Sequence, residues 1–241
     1  FVLSFVLTLL VRRIAIHFHI VDEPGILRKI HSRPVALLGG WGMFVAIAAC
    51  VIGILSSSDL LTSGEINPQH YIGVLLGGFI LMVGGFIDDR FELPPHFAII
   101  APVLAAFSAI AFGIEVDKLT NPFGGQMMLE GWQSDLLVFG WLLVVMYTTK
   151  FLDGLDGLAT SVASVGALMI MLLSLTVAYI QPDVALLSAV TCGAFVGFLF
   201  WNVHPASIFL GEGGSTFVGY MLGVLAVISG GKVATALLVL G

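Results

Sequence analysis

Long apolar blocks constrain this 241-residue chain more than any motif in it. They fall at about 1–11, 35–55, 71–87, 97–114, 135–152, 161–180, 184–201, 216–230 and 232–241. A helix rises ~1.5 Å per residue, so a block of ~20 residues crosses the ~30 Å hydrocarbon core of a bilayer. Only 10% of the residues are charged and 59% are hydrophobic, whereas a soluble domain is roughly a quarter charged. Too little polar surface remains to cover a water-soluble globule. In lipid every backbone N–H and C=O must be satisfied internally, which leaves helices or closed barrels, and barrel strands would be short and alternating. The expectation is an all-α polytopic membrane protein of about nine helices, a single transmembrane domain over 1–241. The first and last blocks run into the chain ends, so the domain is expected to be incomplete at both. Cys50 and Cys192 sit inside apolar runs and read as small core residues.

The block at 71–87 is interrupted by Gly73, Gly77, Gly78, Gly84 and Gly85. Small residues at such spacing let helices approach closely in lipid. If each block crosses once, the connections alternate sides. One side receives 12–34, 88–96, 153–160 and 202–215. With the helix ends included it holds Arg12, Arg13, Arg28, Lys29, Arg33, Arg90 and Lys150, seven of the nine basic residues. Excess Lys and Arg mark the cytoplasmic side. The other side has turn-like loops, and 115–134 is expected to form a small hairpin there.

Each connection on the basic side carries a polar cluster. The first runs from Asp22 through Pro24, Arg28, Lys29 and His31 to Pro34, followed by Gly39-Gly40. It reads equally as a topogenic anchor on anionic lipid or as a clamp for phosphate. The second ends the 71–87 block with Asp88-Asp89. Adjacent carboxylates repel unless a cation is present, so the pair is either a solvated span end or a metal or proton-transfer site. The third is Lys150-Phe-Leu-Asp153-Gly-Leu-Asp156-Gly. Its two acids stand three apart and share a face if the turn is helical. Two acids, two glycines and a lysine suit Mg and phosphate, because Mg takes few carboxylates and completes its shell with water and substrate phosphates. The fourth runs from Asn202 and His204-Pro205 to Gly211-Glu212-Gly213-Gly214. A glycine turn opening a helix favours anions. Glu212 reads as a metal ligand or as a plain helix-start acid, and His204 more readily as a hydrogen-bonded helix-end residue than as a site group.

Taken in order, these four motifs resemble the polyprenyl-phosphate N-acetylhexosamine-1-phosphate transferases, glycosyltransferase family 4, over about Val11 to Gly219. The resemblance implies about ten or eleven helices in a complete member. It implies an active site on the cytoplasmic face of a bacterial-type plasma membrane and a Mg cofactor, with Mn as a substitute. The donor would be a UDP-sugar, the acceptor a polyprenyl phosphate such as undecaprenyl phosphate, and the by-product UMP. Nucleic acid is not implied, and a homodimer is compatible with it. By position, Asp88 and Asp89 match the family's aspartate pair and Asp153 and Asp156 its DGxDG aspartates; all four are catalytic candidates. Glu212 stands where the family has a Mg-binding Asp, and is expected to hold the metal with Asp153 nearby. Arg28, Lys29, His31, Lys150, Asn202 and His204 are candidates for substrate contact.

Two departures stand out. Lys150 replaces the Asn that usually precedes the DG turn, and Glu212 lengthens the expected ligand by one methylene. Glu92 occupies the position of a lysine in the muramoyl-pentapeptide branch, which favours the N-acetylglucosamine-type branch. The expected chemistry is in-line attack by an acceptor phosphate oxygen on the β-phosphorus of the donor; a covalent aspartyl intermediate is the open alternative. A transporter for Mg or a phosphorylated solute would need ionisable groups deep in the spans, and the blocks are almost free of charge. An inactive scaffold of the same fold is the other rival.

Overall fold

The computed structural model of the protein describes residues 1–22, 34–64, 66–116, 118–120, 126–176 and 180–230. Nearly all regular structure is helical: α1 (Val2–His17), α2 (Gly39–Ser57), α3 (Pro68–Phe91), the single turn α4 (Pro95–Ala98) running into α5 (Ile100–Ala111), α6 (Gly131–Leu152), α7 (Leu158–Ser174), α8 (Pro182–Asn202) and α9 (Gly211–Ile228). Each apolar block up to residue 230 becomes one of these helices; the block at 232–241 lies outside the described residues. Five helices, α2, α3, α6, α8 and α9, are long and apolar enough to cross a membrane.

Helix starts follow local chemistry. Pro68 and Pro182 open α3 and α8, where a missing N–H costs nothing. Asn67 with His70, and Glu130 with Gln133, form capping boxes on α3 and α6.

Helix α9 is the axis of the bundle. Its span is 78% buried, against 22% for α6. Helices α2, α3, α5, α6, α7 and α8 surround it, each packed on its neighbours, and α1 lies outside across α2 and α8. Outward-facing Leu136, Val144, Val165 and Met169 remain exposed, which lipid tolerates and water does not. The glycines of α3 sit at helix contacts. A Cβ on Gly84 would lie 2.3 Å from Ala101 Cβ on α5, and one on Gly85 2.1 Å from Gly213 on α9.

Among the described residues there are also two short antiparallel pairs: β1 (Val21–Asp22) with β2 (Val35–Ala36), and β3 (Lys118–Thr120) with β4 (Gln126–Met128). The second is the hairpin expected within 115–134. At that same end Asp183 is fully buried, its carboxylate accepting the N–H groups of Ile66 (3.0 Å) and Val184 (2.9 Å).

Candidate active site

The described segments 18–22 and 34–38 and the connections 92–94, 153–157 and 203–210 lie at the opposite end of the bundle, as alternate crossing requires. The start of α9 is built there by backbone pairing. Phe209 N–H bonds Ala36 O at 2.8 Å, Gly39 N–H bonds Phe209 O at 2.9 Å and Gly40 N–H bonds Leu210 O at 3.0 Å. Two orphan donors of the α2 N-terminus are thereby satisfied by the strand leading into α9. Arg12 Nε donates to Ser207 O at 3.1 Å, tying α1 to the same segment. Gly211 then turns the chain at φ +76°, a conformation that favours glycine. A Cβ on Gly40 would lie 2.3 Å from Gly214 Cα. Gly213 and Gly214 thus permit close helix crossing with α3 and α2.

Four carboxylates gather on this frame. Asp89, from the last turn of α3, accepts the N–H of Glu212 through Oδ1 at 3.0 Å. An anion at a helix N-terminus is favoured by the orphan N–H groups and the helix dipole. Glu212 projects from the first turn of α9, and its Oε2 lies 2.5 Å from Lys150 Nζ of α6. Thr149, beside that lysine, donates to Ser215 O at 3.0 Å and pins α6 against α9. Asp153 caps α6. Burial, and then the charges of Glu212, Asp89 and Asp156, push its carboxyl up to about 8. Asp88 faces the same cleft, with Oδ1 accepting the N–H of Leu93 at 3.0 Å.

The sequence expectation changes at three residues. The 153–157 turn is not helical, so Asp153 and Asp156 do not share a helical face. Asp156 Oδ2 instead bonds His204 Nδ1 at 2.9 Å and accepts the N–H of Ala206 at 3.1 Å, holding the 203–207 segment. His204, which precedes a cis peptide bond to Pro205, keeps its side chain 82% exposed beyond that hydrogen bond. Asn202 is not placed for substrate contact: it is 2% exposed. Its Oδ1 accepts from Gly157 N–H (3.2 Å) and Thr160 Oγ1 (3.3 Å), and its Nδ2 donates to Ile208 O (3.1 Å). The amide joins the DG turn to the approach of α9, so it positions the site. Arg28, Lys29 and His31 lie outside the described residues. The β1–β2 pair is bridged through Ala36 to Ile208, next to the site.

Among the described residues no three His, Cys, Asp or Glu side chains are spaced to hold a metal ion by themselves. The donor set still suits Mg. It is all carboxylate oxygen, and Mg commonly takes one or two carboxylates with water and substrate phosphates. Mutually repelling acids around Asp153 are a site short of positive charge.

An apolar groove of about 400 Å³ runs beside the site between α3 and α4–α5, lined by Phe79, Val83, Ile87, Phe97, Ile100 and Leu104 among others. It shares Gly84, Ala98 and Ala101 with the narrow cleft that holds Asp88, Lys150 and Glu212. Sequence reading missed this groove, because continuous apolar blocks carry no signal of which face is grooved.

A family model for glycosyl transferase family 4 matches residues 71–230, from α3 to the end of α9. The chain belongs to that family. Curated relatives of this glycosyl transferase family 4 protein agree. It is 30% identical over 223 residues to the probable undecaprenyl-phosphate N-acetylglucosaminyl 1-phosphate transferase of Bacillus subtilis, an overlap of 92% of this chain and 59% of that protein. It is 32% identical over 234 residues to the decaprenyl-phosphate N-acetylglucosaminephosphotransferase of Mycolicibacterium smegmatis, 93% of this chain and 57% of that one. It is 34% identical over 211 residues to the phospho-N-acetylmuramoyl-pentapeptide-transferase of Sulfurimonas denitrificans, 74% of this chain and 58% of that protein. The chain therefore spans less than three-fifths of the length of these relatives.

Proposed function

We propose that the protein transfers N-acetylhexosamine 1-phosphate, specifically N-acetylglucosamine 1-phosphate, from a UDP-sugar to a polyprenyl phosphate and releases UMP. The observation that carries this reading is one juxtaposition. Asp88, Asp89, Asp153, Glu212 and Lys150 gather at one end of an apolar bundle, where the narrow cleft lined by Asp88, Lys150 and Glu212 adjoins an apolar groove. A phosphate bearing a long hydrocarbon tail and a charged nucleotide sugar need such a meeting of polar and apolar surface. The two relatives named as N-acetylglucosamine phosphate transferases, and Glu92 in place of a lysine, favour N-acetylglucosamine.

Glu212 and Asp153 would hold Mg, which when bound would neutralise charge developing on the diphosphate oxygens. Asp89 keeps the first turn of α9 in place through the Glu212 N–H. Asp88, at the rim of the cleft, would orient the acceptor phosphate or take its proton. An acceptor oxygen then forms a bond to the β-phosphorus as the bond from β-phosphorus to the α–β bridging oxygen breaks, and UMP leaves. Positioning supplies most of the acceleration in such transfers. The acceptor tail would lie along Val83 and Ile87. The basic side of the bundle would face the cytoplasm in a bacterial inner membrane.

The test is UMP release by the full-length protein in detergent, given UDP-N-acetylglucosamine, undecaprenyl phosphate and Mg, with each omitted in turn. Release that requires all three is expected. Release only with another UDP-sugar would overturn the sugar assignment, and none with any UDP-sugar would overturn the transferase.

A further inference from the structure

Lys150 stands in direct contact with the carboxylate that the proposed function assigns to the metal. Its Nζ is 2.5 Å from Glu212 Oε2, with the two side chains 30% and 42% exposed. The same ammonium lines the narrow cleft together with Asp88 and Glu212. The backbone around the pair is held firmly. Thr149 is bonded to Ser215 O, and Glu212 N–H to Asp89. The lysine stem itself is a flexible four-carbon chain ending in a compact point charge with three donors, which can trade one oxygen partner for another.

We infer that Lys150 is a built-in counter-ion that occupies Glu212 until a divalent cation arrives, and that the Lys150–Glu212 pair opens when the cation binds. This rests on the metal reading above. Two cations cannot both sit at contact distance on one carboxylate oxygen without strong repulsion. Cation binding therefore bears the cost of opening the pair, and the apparent affinity is lower than the acid cluster alone would give. The released ammonium remains beside the cleft, where the oxygens of a diphosphate would take the place of Glu212 as its partner. Metal and diphosphate each favour the open pair, so each strengthens binding of the other. Lys150 is on this account a positioning residue whose first partner is the metal's own ligand.

The experiment is Mn titration of the full-length protein in detergent, without nucleotide, followed by loss of the free-ion electron paramagnetic resonance signal. Four proteins are compared: wild type, Lys150→Gln, Glu212→Asp and the double variant. Removing a partly exposed ion pair should make Lys150→Gln bind Mn about threefold to fivefold more tightly than wild type. Structural damage would weaken binding instead. Glu212→Asp retains an oxygen ligand but withdraws it from the ammonium, so adding Lys150→Gln to it should change affinity less than twofold. Equal tightening in both backgrounds would overturn the inference, because Lys150 would then act only through its field. Unchanged or weaker binding in Lys150→Gln would overturn it while leaving the transferase reading intact. Absence of Mn binding in all four proteins would overturn the inference, while the transferase reading stands or falls on UMP release.

Discussion

Asp153 and Glu212 differ in what surrounds their carboxylates. Burial and three neighbouring acids push the Asp153 carboxyl up to about 8. An acid raised in the folded state binds a proton that the unfolded chain has lost. Without divalent cation, stability therefore falls as pH rises from about 4 toward about 8 and levels off above that. Metal affinity runs the other way, rising with pH up to about 8, because the ligand must be ionised. Thermal melts and Mn titrations across that range check both slopes, and Asp153→Asn should flatten them. Glu212→Gln keeps the size of the side chain and removes its charge. Turnover should fall by about a hundredfold or more, read as UMP release, with the melting profile close to wild type. Wild-type turnover in that variant would remove Glu212 as a ligand. The four motifs were readable as a site because acids, glycines and cations do not scatter onto one membrane side by chance. The partner of each residue was not readable. Asp156 and Asn202 look like site groups in the sequence; in the structure Asp156 Oδ2 and the Asn202 amide also join segments 42 to 50 positions apart.

At the scale of elements, the decisive arrangement is α3 between α9 and α5. The α9 side of α3 carries Gly85, against Gly213. The α5 side carries Gly84, against Ala101, and the groove begins there. One helix thus contributes Asp89 to the site and Val83 to the adjoining apolar wall. A bulky side chain in that wall should impede the lipid acceptor and spare the nucleotide donor. For Val83→Trp we expect KM for undecaprenyl phosphate to rise about tenfold, equivalent to ~1.4 kcal/mol, with KM for the UDP-sugar within twofold. Equal changes in both constants, or none, would place the tail elsewhere. Helix existence and type were legible in nearly every block, since length and apolarity leave few alternatives in lipid. The glycines of 71–87 announced close packing, but their partners on α5 and α9 depend on how the bundle closes.

For the whole molecule, alternate crossing and the charge bias make one prediction about sidedness. In intact cells, with Cys50 and Cys192 replaced by serine, a membrane-impermeant thiol reagent should label Ser63→Cys and leave Leu155→Cys unlabelled until the membrane is opened. The reverse pattern would invert the orientation. Apolar block length and the position of the basic residues depend only on local composition, so the sequence alone determined a polytopic helical bundle with its polar motifs gathered at one end. Three features had no local signature: α9 as the buried axis, the groove beside the acids, and Lys150 resting on Glu212. Each depends on which helix faces turn toward one another. Side chains from α3, α6 and α9 become neighbours only after the bundle has closed, and that closure was decided by the tertiary structure.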